Sequence, residues 1–172
     1  MSQPIPWEIR DVRREDSAAL VASIPQKDGT FRHEWLASQQ TAGHLDYIAA
    51  WSQGLPVGQG IILWEGYVIP ALAEEFPCTP VIRSVEVLER HRGRGIGSSI
   101  VTELEARARI RGFTFVSLGV MPGNVSAESL WHRLGYVDWG KGIFNATSVY
   151  EDAGGQKASR HERFIPMRKR LS

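Results

Sequence analysis

The clearest chemical signal in the sequence is a seven-residue loop with three glycines at alternate positions. The loop runs Arg92-Gly93-Arg94-Gly95-Ile96-Gly97-Ser98, and arginines flank its first glycine. Glycines let several backbone N–H groups turn toward one point, and such a nest at the N-terminus of a helix binds phosphate oxygens. The loop therefore predicts a ligand that carries phosphate groups.

Two well-known nucleotide-binding patterns do not fit this loop. The dinucleotide pattern G-x-G-x-x-G requires a glycine where Ser98 stands, and the nucleotide P-loop requires a lysine after its last glycine, which this loop does not have. The pattern that fits is Arg-x-x-Gly-x-Gly, formed by Arg92, Gly95 and Gly97.

A strand before the loop and a helix after it must hold the loop in place. Residues 81–88 alternate enough between apolar and polar types to predict a strand. After the loop, apolar residues recur at helical spacing and predict an amphipathic helix that ends at Gly112. These apolar residues are Ile96, Ile100, Val101, Leu104 and Ala108. A strand, a glycine loop and a helix in this order can hold a pyrophosphate.

The remaining elements predict a mixed α/β protein. We expect strands at 7–12, 44–51, 56–64, 113–120, 136–150 and 163–171, with a hairpin turn at Gly54-Leu55, a long connection at 65–80 and a polar turn at 152–159. Two further helices are expected from Asp16 to about Ile24 and from Thr30 to Gln40, and a third is capped by Asn124 or Ser126 and runs to Leu134, where Gly135 follows.

Three segments, taken in order, resemble the GNAT superfamily of N-acetyltransferases. They are the strand and loop at 85–97, the segment from Asn124-Val125-Ser126-Ala127 through Leu130-Trp131 to Leu134-Gly135-Tyr136, and the closing strand at 164–169. The resemblance implies one domain over residues 1–172, with a mixed, mostly antiparallel sheet of six to seven strands and about four helices. It also implies acetyl transfer from acetyl-CoA to a primary amine of a small molecule or peptide, by direct attack in a ternary complex and without a metal.

The same resemblance assigns the cofactor contacts. Backbone groups of Val85 and Val87 would bind the pantetheine arm and the acetyl carbonyl, and the backbone from Arg92 to Ser98 would hold the pyrophosphate. The residues expected at the pyrophosphate are Arg92, Gly93, Arg94, Gly95, Ile96, Gly97 and Ser98. Asn124, Ser126 and Trp131 are expected to contact the arm from the following helix.

The sequence departs from the resemblance at the residue expected to transfer a proton. Many superfamily members protonate the leaving thiolate with a tyrosine, but Trp131 stands at that position, and an indole N–H is not a usable acid. Trp131 also lies on the apolar stripe of its helix, so a purely structural role is the alternative. The general acid is left open, and the thiolate can leave directly into solvent.

Glu86 is the predicted general base, because it lies between the two valines expected to contact the pantetheine arm. A carboxylate there could accept the amine proton directly or through water. The alternative for Glu86 is an ordinary outward-facing strand residue or an ion-pair partner. His132 is a second candidate base by its chemistry, and His91 is expected to be solvated.

The resemblance places acceptor recognition in residues 26–43, 65–80 and 141–160. The acidic pairs Glu74-Glu75 and Glu151-Asp152 lie in these segments and would suit a cationic amine, although acidic pairs are also common in solvated loops. Arg83 would instead favour an acceptor with a carboxylate. A bulge in its strand would reverse the direction in which the Arg83 side chain points.

Bulk properties narrow the function classes. The chain has 172 residues, 42% hydrophobic and 23% charged, with a net charge of +1 that gives no case for a nucleic acid or membrane partner. One cysteine excludes an internal disulfide framework, and neither a secretory signal nor a stretch of about 20 apolar residues is visible.

We expect a cytoplasmic protein whose partners are acetyl-CoA and an amine, with a homodimer as one assembly. The competing hypotheses are a non-catalytic acyl-CoA-binding module and an acyltransferase with another acyl donor.

Overall fold

In the computed structural model of the chain, the residues described are 6–24, 33–151 and 156–172. They form eight strands and five α-helices, a mixed and mostly antiparallel α/β architecture that confirms the predicted fold class but has more strands than the six to seven expected and one helix more than the four expected. The strands are β1 (Glu8–Asp11), β2 (Leu45–Ser52), β3 (Leu55–Leu63), β4 (Val81–Val87), β5 (Phe115–Val120), β6 (Val137–Asp138), β7 (Phe144–Glu151) and β8 (Lys157–Arg170). The helices are α1 (Ser17–Ser23), α2 (His33–Thr41), α3 (Pro70–Glu75), α4 (Ile96–Ile110) and α5 (Val125–Arg133).

The chain divides into two compact units. The first comprises Met1–Trp64 and Ile82–Arg107, and the second comprises Glu65–Val81 and Ala108–Ser172. In the part of the chain that the structure describes, no helix is long and apolar enough to cross a membrane.

The first unit contains an antiparallel meander whose strand order is β1-β2-β3-β4. Ile9 of β1 pairs with Ala50 of β2, and Tyr47 of β2 pairs with Ile61 of β3. The β2–β3 turn is formed by Gln53 and Gly54, which both have positive φ, as a two-residue hairpin requires. The turn expected at Gly54-Leu55 is therefore one residue late, because Leu55 already pairs with Ser52.

The meander of the first unit is covered on both faces. The helices α1 and α2 bury one face in an apolar cluster, and α4 packs on the other face. The buried members of that cluster are Val12, Leu20, Ile24, Leu36, Leu45, Tyr47, Ala49, Trp51 and Ile61. All five apolar residues expected on the stripe of α4 are buried, which confirms the helix prediction and its inward face.

Two arginines of the first unit, Arg10 and Arg107, form ion pairs with nearby carboxylates. Arg10 of β1 makes two hydrogen bonds to Asp16, at 2.7 and 2.9 Å, and they hold the pKa of that carboxyl below its usual value. Asp16 precedes α1 as predicted, but its carboxylate binds Arg10 and the backbone N–H of Arg13 instead of capping α1. On α4, Arg107 bonds Glu103 at 2.9 Å and Asp46 at 3.0 Å and also pairs with Asp11.

Replacing Arg107 with alanine is expected to destabilise the protein by about 2 kcal/mol in denaturant unfolding. Three carboxylates would lose a shared cation, and the Asp46 side chain is only 16% exposed. Arg13→Ala is the matched control, because the Arg13 side chain is 67% exposed and lies 3.8 Å from Glu15. Equal stability of the two variants would contradict the role given to Arg107.

The second unit is organised around β8, the longest strand. β8 pairs antiparallel with β5, β6 and β7, for example through Leu118 with Met167 and through Asn145 with Arg163. Five aromatic rings in this unit form a closed circuit with centroid distances between 5.5 and 6.4 Å. They belong to Tyr67, Phe76, Trp139, Phe144 and Phe164.

Several element boundaries differ from the sequence predictions. The connection at 65–80 contains the short helix α3, and the strand expected over 136–150 is two strands, β6 and β7, separated near Gly140 and Gly142. Both glycines have positive φ, which breaks an extended strand. β8 begins at Lys157 rather than at 163, and of the turn expected at 152–159, residues 152–155 lie outside the described residues. The predicted start of α2 at Thr30 lies outside them too.

Candidate active site

The glycine-rich loop leaves β4 through a short 3-10 turn at Glu89–His91 and enters α4 at Ile96. Gly93 and Gly95 have φ values of +73° and +85°, left-handed conformations that only glycine adopts without strain. A Cβ atom added at either residue would meet nothing within 4 Å. Both glycines therefore serve the backbone path, and the space in front of them is open.

The N-terminus of α4 presents backbone donors beside this open space. The first helical hydrogen bond runs from Ser99 N to Gly95 O at 2.9 Å, so the N–H groups of Ile96, Gly97 and Ser98 have no acceptor in their own helix. The first turn of α4 contains no acidic residue that could compete for these donors. Backbone N–H groups and the helix dipole together favour an anion here.

Arginine side chains surround the loop. Arg90, Arg92 and Arg94 are exposed, and Arg92 Nε donates a 3.0 Å hydrogen bond to the carbonyl oxygen of Val87, which ties the loop to the end of β4. Partial burial, together with repulsion by Arg90 and Arg94, lowers the pKa of His91. The lowered pKa favours the neutral form of His91, and the charge of the loop comes from the arginines.

Two glycines of β3 let α4 lie close to the sheet. A Cβ atom at Gly58 would lie 3.1 Å from Ile100 Cδ1, and one at Gly60 would lie 2.6 Å from Ile100 Cγ2. Such close approach of a helix to a strand requires glycine. This role was not predicted from the sequence, although two glycines spaced by two residues within an apolar strand are a usable signal for it.

The conformation of β4 decides which way Glu86 points. Ser84 has a φ of +53° in the middle of the strand, a left-handed irregularity directly after Arg83. The Cγ2 methyls of Val85 and Val87 would lie 3.6 and 3.3 Å from Cβ atoms at Gly60 and Gly58, so both valines face α4. Glu86, between them, therefore points to the opposite face of the sheet and is half-buried.

The residues predicted on the following helix lie in the second unit. Asn124 caps α5 as expected, because its side-chain oxygen accepts from Ala127 N at 3.1 Å, and Ser126 is exposed in the first turn. Trp131 is only 8% exposed, and its ring packs edge-on against Tyr136 at 5.7 Å between centroids. These contacts favour the structural alternative for Trp131.

The other candidate residues are also on the surface or in structural contacts. His132 is exposed on α5, and Glu75 forms an ion pair with Lys141. Asp152 lies outside the described residues, and the side chain of Glu151 is not described. Arg83 is half-buried on β4. The structure therefore brings together the loop, the start of α4 and Glu86 within the first unit.

A protein-family profile matches most of this chain. The profile of the acetyltransferase (GNAT) family matches residues 9–136. No curated protein sequence matches the chain.

Similar solved structures include a ribosomal-protein-alanine N-acetyltransferase from Brucella melitensis, which is 25% identical with a TM-score of 0.68 over 95% of this chain and 99% of that one. An N-acetyltransferase from Staphylococcus aureus is 18% identical, with a TM-score of 0.68 over 97% and 99% of the two chains. PaiA N-acetyltransferase from Thermoplasma acidophilum, in complex with coenzyme A, is 15% identical, with a TM-score of 0.63 over 96% and 99%.

The last two likenesses establish the fold alone, whereas the family profile is matched by the sequence itself. The profile runs from β1 to Tyr136, three residues beyond the end of α5, and it includes β4, the glycine loop and α4. The chain belongs to the acetyltransferase (GNAT) family.

Proposed function

We propose that the protein transfers an acetyl group from acetyl-CoA to a primary amine by direct attack in a ternary complex. The observation that carries this proposal is the N-terminus of α4, which has no acidic residue in its first turn and is joined by an open glycine loop to the strand that carries Glu86. We propose the whole chain, residues 1–172, as one catalytic domain, because the family match runs through segments of both units.

The cofactor roles follow from the backbone more than from side chains. The N–H groups from Arg92 to Ser98 would hold the pyrophosphate of acetyl-CoA, with positive charge from Arg90 and Arg94. Backbone groups of Val85 and Val87 would align the pantetheine arm, and Asn124 and Ser126 are proposed as further arm contacts. The burial of Trp131 against Tyr136 argues against the arm contact expected for Trp131. The fit rests on the open space at Gly93 and Gly95, where nothing lies within 4 Å of an added Cβ atom.

Glu86 would make the acceptor nucleophilic. A lysine-like amine has a pKa of about 10.4 and is mostly protonated at neutral pH, so it must lose a proton before it attacks. In the proposed step the amine nitrogen bonds to the acetyl carbon, its proton passes to Glu86 directly or through water, and the C–S bond breaks. The thiolate takes its proton from solvent, because buried Trp131 cannot serve as an acid.

A non-catalytic acyl-CoA-binding module is the second candidate. The burial of Trp131 at the usual tyrosine position favours it, because such a module keeps the cofactor loop and needs no general acid. An acyltransferase that uses a longer acyl-CoA donor is the third candidate, and its loop would bind the pyrophosphate in the same way.

Thiol release in the presence of an amine panel tests the proposal. The panel contains a polyamine, an aminoglycoside, free amino acids and a peptide with an N-terminal alanine, the last because one 25% identical relative is a ribosomal-protein-alanine N-acetyltransferase. We expect amine-dependent release of CoA above the no-amine rate and an acetylated product by mass spectrometry. Tight acetyl-CoA binding without release on any amine would favour the module, and release only with longer acyl-CoA donors would favour the third candidate.

A further inference from the structure

A chain of buried polar side chains crosses the core of the first unit. His33, at the start of α2, is 2% exposed, and its Nδ1 lies 2.6 Å from the hydroxyl oxygen of Tyr47. That hydroxyl lies 2.7 Å from Oε1 of Gln59, and Tyr47 and Gln59 are buried as well. Three polar groups in an apolar core lower stability unless every hydrogen bond is made, so this chain is a specific arrangement and not a neutral filling.

The hydrogen-bonded side chains of His33, Tyr47 and Gln59 lie on the face of the sheet to which Glu86 points. Gln59 stands between Gly58 and Gly60, whose α-carbons face α4, so its side chain projects to the opposite face. Glu86 projects to that same face from β4, and β3 neighbours β4, with Leu88 N bonded to Val57 O at 2.9 Å. Gln59 and Glu86 are therefore on neighbouring strands and the same face.

One proton on His33 determines which atom donates and which accepts in each of these hydrogen bonds. His33 Nε2 lies 3.1 Å from the carbonyl oxygen of Ile24, which can only accept, so Nε2 carries a hydrogen. If Nδ1 is also protonated, it donates to Tyr47, and Tyr47 donates to Oε1 of Gln59. If Nδ1 is bare, Tyr47 must donate to it, and Gln59 must turn its amide NH₂ toward the tyrosine.

The two arrangements direct opposite ends of the Gln59 amide toward the other side chains on the same face of the sheet. When His33 is doubly protonated, the NH₂ group of Gln59 is directed away from Tyr47. In that position this donor and the nearby positive ring of His33 stabilise a carboxylate. With His33 neutral, the carbonyl oxygen is directed away instead, and a carboxylate on that face becomes more basic.

We propose that His33 is a positioning residue for Glu86, which acts through Tyr47 and Gln59 by reversing their hydrogen bonds when it gains or loses a proton. The inference rests on the proposed role of Glu86 as the base. In the transfer itself the amine proton still goes to Glu86, and His33 exchanges its own proton with solvent.

The charged groups around His33 agree with a link to Glu86. Burial lowers the pKa of His33, whereas its bond to Ile24 and the charge of Glu86 raise it. From β2, Tyr47 has a raised pKa because of burial and the charge of Asp16, which is itself paired with Arg10. Glu34, next to His33 on α2, is exposed. Among the described groups, Glu86 is thus the carboxylate that acts on His33.

Nuclear magnetic resonance of the histidine rings tests the link without any substrate. The ring signals of His33, assigned by their loss in His33→Gln, are followed from pH 4 to 8 in the wild type, Glu86→Gln and Glu89→Gln. Loss of the Glu86 charge is expected to move the titration of His33 lower by about one pH unit. Glu89→Gln, an exposed control, should leave it unchanged. A His33 midpoint that is the same in all three proteins would overturn the link.

The pH profile of acetyl transfer tests the effect on the reaction. In His33→Gln no positive charge forms beside Glu86 in acid, so the acid limb of kcat/KM should move to higher pH while the KM for acetyl-CoA stays the same. His161→Gln, an exposed histidine of β8, is the control. Should His33→Gln not fold, Tyr47→Phe breaks the same chain by one hydroxyl. A folded variant whose pH profile superimposes on that of the wild type would refute the positioning role of His33. Absence of acetyl transfer in the wild type would instead refute the proposed function, and the ring titration would then decide whether His33 and Glu86 are linked.

Discussion

Gly95→Glu is expected to weaken acetyl-CoA binding at least about 100-fold in isothermal calorimetry. Gly95 is the residue immediately before α4, and its carbonyl accepts the first helical hydrogen bond. A glutamate side chain would have space there, because nothing lies within 4 Å of its Cβ position. Its carboxylate would stand at the positive end of the helix, occupy the N–H groups and repel the pyrophosphate.

Gly54→Glu is the matched control for this substitution. Gly54 also has a left-handed φ, +76° against +85° at Gly95, and a Cβ atom there also meets nothing within 4 Å. Both variants therefore place a side chain on a similar left-handed backbone and add the same charge, but Gly54 lies in the β2–β3 turn. We expect Gly54→Glu to bind acetyl-CoA like the wild type. Wild-type affinity in Gly95→Glu would show that the loop does not hold the pyrophosphate.

The sequence predicts correctly those features of the structure that depend only on residues close together along the chain. The apolar stripe of α4 and the Asn124 cap of α5 each follow from spacing or from a single residue type, and Gly112 and Gly135 end helices with positive φ. The open glycine loop at the start of α4 belongs to the same class, because glycine is needed there for the backbone path itself.

Other features depend on contacts that the sequence does not display. Ser84 adopts a left-handed conformation without being glycine or asparagine, so its type gives no warning of the irregularity in β4. The helix α3 has six residues in a segment with three prolines, too short for a helical period to be visible. The polar chain from His33 joins α2, β2 and β3 through tertiary packing, and only the folded structure reveals it.

The division of β4 into two faces connects the fold with the proposed chemistry. Val85 and Val87 face α4, which begins at the glycine loop, whereas Glu86 faces the side that α1 and α2 cover. One short strand can therefore support the cofactor loop on one face and place a carboxylate on the other. The direction of the Glu86 side chain thus follows from that of its two valine neighbours, because successive residues of a strand point to opposite faces.

Glu86→Gln is expected to lower kcat/KM for the acceptor about 100-fold at pH 7, the loss typical for a general base. Without the carboxylate, only amine that is already neutral can attack, and that fraction rises about tenfold per pH unit up to the amine pKa of about 10.4. The defect should therefore be largest at low pH and should shrink as the pH approaches 10. Initial rates of thiol release between pH 6 and 10 measure it.

Glu89→Gln is the matched control for the charge change, because Glu89 is exposed in the 3-10 turn three residues further along the chain. It should retain wild-type rates at every pH, and calorimetry should find the same acetyl-CoA affinity in Glu86→Gln, Glu89→Gln and the wild type. A Glu86→Gln rate within about twofold of the wild type across this range would remove Glu86 from the mechanism. A defect of constant size at all pH values would instead mean that Glu86 orients the acceptor and does not take its proton, because only proton removal becomes dispensable when the amine is neutral.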